Sequence, residues 1–184
     1  MTMATYTKVF LRFSKKFWFD TEVRRLHFIA MILWLTLYLQ MALYADSERG
    51  RYPVWQSLDH ENFFPGSGIM FVTVTVCLVL SNPRYSHILI LTRDQGDQSV
   101  RIEGLSDSQV KSEVMGVVRS MFPNVTVPEP LEFFFPRWHS NPLFRGSYSN
   151  WPPSFSSQHL DNLRANVGRL YFAGEATSRK YFGQ

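Results

Sequence analysis

Between Arg25 and Asp46 the chain carries no charged side chain: Leu26 to Tyr44 reads LHFIAMILWLTLYLQMALY. An uncharged stretch of this length matches the roughly 20 residues that cross a bilayer as a helix. The Arg24-Arg25 pair before it supplies the basic flank expected on the cytoplasmic side. Taken alone, the stretch predicts a transmembrane helix. A second apolar stretch, Ile69 to Leu91, is interrupted by Ser81-Asn82-Pro83-Arg84 and makes a poor span. The segments around these two follow a different pattern.

Thr5 to Phe13 alternates, with Tyr6, Lys8, Phe10 and Arg12 on one face and Thr7, Val9, Leu11 and Phe13 on the other. That is the period of a half-buried strand. Met41 to Asp46 and Tyr52 to Gln56 read as two further strands joined by a hairpin turn at Ser47-Glu48-Arg49-Gly50. Ile69 to Thr75 is rich in β-branched residues and predicts a fourth. Ser106 and Gln109 form a capping-box pair, and Val110, Val114, Val117 and Met121 recur at helical spacing until Pro123 stops the run. Pro128-Glu129-Pro130 is a rigid connector, Glu132 to Pro136 is extended, and Gln158 to Ala165 is a short helix. A final strand is expected at Arg169 to Phe172. Mixed strands with one strong helix place the chain in the α+β class, or make it a piece of a larger α/β protein.

Charge and cysteine content narrow the functional classes. The net charge of +4 is spread along the chain, and the dense basic runs Lys15-Lys16 and Arg24-Arg25 are too short for a nucleic-acid footprint. No nucleic-acid partner is expected. One cysteine, Cys77, excludes an intramolecular disulfide and a Cys-based zinc cluster, and no metal site is expected. Asn124-Val125-Thr126 matches a glycosylation acceptor, but no secretory pattern opens the sequence.

The most informative motif is Gly168-Arg169-Leu170-Tyr171-Phe172-Ala173-Gly174-Glu175-Ala176-Thr177-Ser178. An apolar run stops at a bare backbone and a carboxylate, a combination that can hold ribose or ribityl hydroxyls at the end of a strand. This motif resembles the C-terminal FAD-contacting segment of the flavin amine oxidases, polyamine oxidases in particular. Upstream, Tyr6-Thr7-Lys8, Pro136-Arg137-Trp138 and Gly146-Ser147-Tyr148-Ser149-Asn150-Trp151-Pro152 resemble earlier blocks of the same family, in the same order.

The resemblance implies FAD as cofactor, a polyamine and O2 as substrates, and specific roles. Lys8 would hold a water near the flavin, a task suited to a lysine drawn partly out of water. Tyr6 shares the Lys8 face, since residues two apart point the same way, and would border the same substrate cavity. Tyr148 would form one wall of an aromatic cage that orients the amine. Glu175 would bond the FAD chain, and Gly174 would let the cofactor approach the backbone. Trp138 and Trp151 read as structural. The implied reaction transfers a hydride from the carbon beside a neutral amine nitrogen to the flavin. Water then hydrolyses the imine, and O2 reoxidises the flavin to give H2O2.

The same resemblance reinterprets the apolar stretches. Without residues 23–40, Phe17-Trp18 lies close before Leu43-Tyr44-Ala45, and without 76–95 the strand Val72 to Thr75 runs into Gly96-Asp97, both as in polyamine oxidases. Each segment begins with Val and ends with Gln, residues that GT and CAG splice signals encode. Each also holds Leu-Thr shortly before its end, which a branch-point sequence encodes. Both read as translated introns, which would place Cys77 outside the parent protein. Residues 1–150 then form a partial substrate-binding domain and 151–184 a return segment to the FAD-binding domain. The Gly-x-Gly-x-x-Gly dinucleotide-binding unit and the second wall of the cage have no counterpart in the sequence. The expected architecture is an incomplete piece of the two-domain amine oxidase fold, with the isolated chain inactive and not retaining FAD. A soluble chain is favoured, with membrane contact only if Leu26 to Tyr44 is a real span. The alternatives are a non-catalytic membrane-anchored remnant and a soluble interaction module.

Overall fold

A computed structural model describes residues 2–18, 41–44, 51–75, 98–181 and 183. Both suspected insertions, most of the uncharged stretch, Cys77 and the turn at 47–50 lie outside them. Seven strands are described: β1 (Thr2–Ala4), β2 (Tyr6–Arg12), β3 (Met41–Leu43), β4 (Val54–Ser57), β5 (Ile69–Thr75), β6 (Glu132–Phe134) and β7 (Tyr148–Asn150). The helices are α1 (Gln98–Glu103), α2 (Asp107–Met121) and α3 (Ser157–Arg164), with a 3-10 turn at Glu175–Thr177. The chain divides into two compact units, one of Thr7–Pro136 and one of Met1–Tyr6 with Arg137–Gln184.

The larger unit is built on a five-stranded sheet in the order β3-β4-β5-β2-β6. β3 pairs antiparallel with β4, β4 with β5, and β6 with β2. The alternation expected along β2 is present: Thr7, Val9, Leu11 and Phe13 are buried, whereas Tyr6, Lys8 and Phe10 are half-buried and Arg12 is exposed. Val9 and Leu11 join Trp55, Val72, Val74 and the α2 residues Val110, Val114, Met115, Val117 and Val118 in one core. α2 is aimed by its cap. Gln109 N–H donates to Ser106 Oγ at 3.3 Å, and Ser106 N–H donates to Gln109 Oε1 at 2.9 Å. Such a cap is worth about 1 kcal/mol.

Three expectations shift. β4 begins at Val54 rather than Tyr52, because Tyr52 sits at φ 47°, where a strand cannot run. Met41–Leu43 is a strand bonded to β4, inside the strand expected at Met41 to Asp46, so the helix that the uncharged stretch predicts when taken alone cannot continue through it. No helix among the described residues is long and apolar enough to cross a membrane.

The third is the final strand. Arg169 to Phe172 belongs to neither described sheet. Val167 and Leu170 exchange backbone hydrogen bonds at 3.0 Å around a tight turn, and Leu170, Tyr171 and Phe172 are exposed. A strand exists only where a neighbour takes up its backbone groups, and none of the described strands does so here.

Candidate active site

In the smaller unit β1 and β7 form an antiparallel ribbon, with Thr2 opposite Asn150, Met3 opposite Ser149 and Ala4 opposite Tyr148. Gly146 permits this pairing. Its φ is 155°, and a Cβ there would lie 2.5 Å from the Met3 Cβ and 3.0 Å from the Ala4 carbonyl oxygen. Ser147 extends the ribbon by one residue: its N–H donates to Ala4 O at 2.9 Å, and its Oγ accepts from Tyr6 N–H at 3.1 Å and donates to Tyr6 O. Tyr6 is thereby held beside Tyr148. Their rings meet edge to face at 6.2 Å between centroids and 73° between planes. Tyr6 and Tyr148, expected separately at the substrate cavity and in the cage, touch here, and Ser147, which bonds the Tyr6 backbone, is a residue that sequence reading passed over.

Glu175 is the polar centre of this unit. Its Oε1 accepts from Ser149 N–H at 2.8 Å, and its Oε2 accepts from Ser149 Oγ at 2.8 Å and from Gly183 N–H at 2.6 Å. Burial pushes the carboxyl upward, but the Gly183, Ser149 backbone and Ser149 hydroxyl donors outweigh it, so the group is held below the usual carboxylate range. A carboxylate offers about four lone-pair sites, so three bonds leave roughly one acceptor position open. Gly174 precedes it at φ 133°, and a Cβ there would meet nothing within 4 Å. A bare backbone with open space beside it and a carboxylate with spare acceptor capacity fit a hydroxyl-rich cofactor chain.

Sequence reading also missed Ser149 and Gly183. The available signal was the Ser147-x-Ser149 alternation around Tyr148, which puts two hydroxyls on the opposite strand face from the ring. Trp138 packs edge-on against Phe144 at 5.1 Å, and Trp151 stacks on Phe155 at 4.4 Å, contacts that suit the structural roles expected of them.

Lys8 belongs to the larger unit, on the half-buried face of β2. Its ammonium lies 4.9 Å from the centroid of the Phe71 ring on β5. The same unit holds a charged cluster that sequence reading did not foresee. Glu113 on α2 takes Arg101 of α1 in a two-pronged pair at 3.1 and 2.8 Å, Arg51 at 3.1 Å and the Tyr52 hydroxyl at 2.8 Å. The Arg101 hydrogen bonds work against burial, and with Tyr52 and Arg51 they bring the Glu113 carboxyl down to about 2. Burial first, and then the bond to Glu113, push the Tyr52 phenol up. This cluster is a structural clamp that ties Arg51 and Tyr52 to α1 and α2.

All of residues 1–184 match the family described as flavin containing amine oxidoreductase. The chain belongs to that family. Among relatives of this flavin amine oxidase chain, polyamine oxidase 6 of Oryza sativa subsp. japonica is 40% identical over 181 residues, covering 98% of this chain and 29% of the relative. Polyamine oxidase 1 of Zea mays is 38% identical over 181 residues, with 98% and 29% coverage. Lysine-specific histone demethylase 2 of Homo sapiens is 29% identical over 101 residues, 54% of this chain and 12% of the relative. The chain spans less than a third of the length of these polyamine oxidases. The mixed α+β architecture agrees with a partial amine oxidase domain.

Proposed function

We propose that this chain supplies substrate-side and cofactor-anchoring parts of an FAD-dependent polyamine oxidase. The observation that carries the reading is the convergence of Tyr6, Tyr148, Glu175 and Gly174 in one unit of a chain whose relatives include polyamine oxidases along 98% of its length. Held by Glu175 and Gly174, FAD would supply the hydride acceptor for amine oxidation and the route by which the electrons pass to O2.

The chain's own residues do the rest. Glu175 anchors the cofactor by accepting one hydroxyl hydrogen bond at its remaining lone pair, while Ser149 and Gly183 hold the carboxylate in place. Gly174 presents a backbone that the cofactor can approach without a side chain in the way. Tyr148, braced edge-on by Tyr6, offers a π face that attracts an ammonium on entry and aligns the methylenes beside it. Lys8 holds a water by donating from its ammonium, on a strand whose other face is locked into the core. Tyr148 lies on the strand paired with β1, and the Glu175 carboxylate is held by hydrogen bonds from Ser149 and Gly183.

The test uses the flavin-loaded full-length enzyme that carries this segment. Lys8→Met is expected to slow flavin reduction or reoxidation roughly tenfold or more. Tyr148→Ala is expected to act mainly on KM for the polyamine. Unchanged flavin rates in Lys8→Met would remove Lys8 from the mechanism. A full-length protein that purifies without flavin and cannot be reconstituted would remove the enzyme reading altogether.

A further inference from the structure

Phe71 departs from the pattern of its own strand. Along β5 the core face is Met70, Val72 and Val74, and the opposite face is Ile69, Phe71, Thr73 and Thr75. The other three residues of that opposite face are half-buried, yet Phe71 is only 5% exposed. β2 is the neighbouring strand in the sheet, and two of its side chains on this face, Phe10 and Lys8, lie against the Phe71 ring. Phe10 approaches to 5.1 Å between centroids, and Lys8 brings its ammonium to 4.9 Å from the ring centroid. Phe134 packs in turn on Phe10 at 6.0 Å.

A lysine side chain has four rotatable bonds and ordinarily samples many rotamers. An aromatic face within about 6 Å of the ammonium narrows that choice, because the ring quadrupole attracts the cation and the ring surface receives the methylenes. The ring itself is wedged by Phe10, so it is a fixed platform. We propose that Phe71 is the positioning residue for Lys8, a ring that sets where the ammonium stands and hence where it holds its water. Phe71 touches no reacting atom in this scheme. It acts through Lys8, and the assignment rests on the reading of Lys8 given above.

The experiment compares Phe71→Leu and Phe71→Tyr, each with Lys8 intact and with Lys8→Met, in the flavin-loaded full-length enzyme. Leucine keeps the site apolar but removes the ring, and tyrosine keeps the ring. With Lys8 present, Phe71→Leu is expected to lower kcat roughly tenfold with KM within about twofold, while Phe71→Tyr stays near the parent rate. With Lys8→Met, Phe71→Leu is expected to cost nothing more, because coupled residues do not add. Equal losses in both backgrounds, or no loss with Lys8 intact, overturn the proposal.

A second readout does not depend on turnover. The Lys8 ε-methylene protons are expected upfield in the NMR spectrum from the ring current, with the displacement lost in Phe71→Leu and kept in Phe71→Tyr. Absence of that displacement in the parent overturns the proposal. If it is present and Lys8→Met leaves the flavin rates unchanged, the positioning stands and the catalytic role of Lys8 is what fails.

Discussion

The two units are stabilised by different means. The larger one is a conventional two-layer arrangement: a sheet face and the Val110-Val114-Val117-Val118 stripe of α2 share an apolar core centred on Trp55, Leu11 and Val72. In the smaller one Leu160 is the one large apolar side chain buried among the described residues, while Leu143, Val167, Leu170, Tyr171, Phe172 and Tyr181 are exposed. What orders it is polar: Ser147 bonded to Tyr6, and Glu175 bonded to Ser149 and Gly183. Apolar burial at about 25 cal/mol per Å2 can stabilise the first unit by itself. A few hydrogen bonds, each worth about 1 kcal/mol net, hold the second only marginally. The residues proposed to meet the cofactor and the amine are in the marginal unit. Functional groups placed on locally weak structure gain their final geometry when a ligand or a further surface covers them.

The largest test of this contrast is in the core. Trp55 is 1% exposed and its Nε1–H donates to Tyr52 O at 2.8 Å. Trp55→Ala is expected to destabilise the larger unit by about 3–5 kcal/mol, read as a fall in the urea midpoint by circular dichroism. The slow-exchanging amides of β2 and β5 should lose protection together. Survival of that protection would mean that the sheet does not depend on its core.

Next in size is the clamp. Glu113→Gln keeps the shape but leaves Arg51 and Arg101 without their carboxylate, at an expected cost of about 2 kcal/mol. The pH dependence gives the sign. Because the folded carboxyl is lowered from 4.5 to about 2, its stabilisation is complete above the unfolded value and is lost as pH falls from about 4.5 through about 2. The parent should lose stability across that window, and Glu113→Gln should lose less. Parallel acid-unfolding curves for the two proteins would place the acid sensitivity elsewhere.

What was legible in the sequence follows the range of the interactions involved. The two faces of β2 and the Ser106–Gln109 cap depend on neighbours within a few residues, and both are found as expected. β5 runs from Ile69 to Thr75 as its β-branched pattern implies. The Glu113 cluster was not legible, because Arg51 and Tyr52 are far from it along the chain and nothing local marks them as its partners. The run Arg169 to Phe172 misled for the opposite reason. Its composition suits a strand, but a strand also needs an adjoining one, which local composition does not supply. At the candidate site, the side chains Tyr6, Tyr148 and Glu175 could be named from a resemblance. The serines that hold two of them could not, since Ser147 and Ser149 look like ordinary small strand residues.

The smallest expected effect is the one that separates the two units most cleanly. Glu175→Ala removes the acceptor for Ser149 N–H, Ser149 Oγ and Gly183 N–H at once. Because the carboxylate is only partly buried, global stability should change little, and the consequence should be local. Hydrogen exchange at the Ser149 and Gly183 amides should speed up, while Val9, Leu11 and Val72 in the larger unit should exchange as before. Glu175→Gln keeps one acceptor oxygen and should fall between parent and Ala. The carboxyl is held below the usual range, so in the parent the same two amides should stay protected at neutral pH and loosen only as the solution is acidified past the ordinary carboxylate range. Acceleration that spreads to β2 and β5 would show that the polar clamp of one unit also supports the core of the other, and the contrast between them would fail.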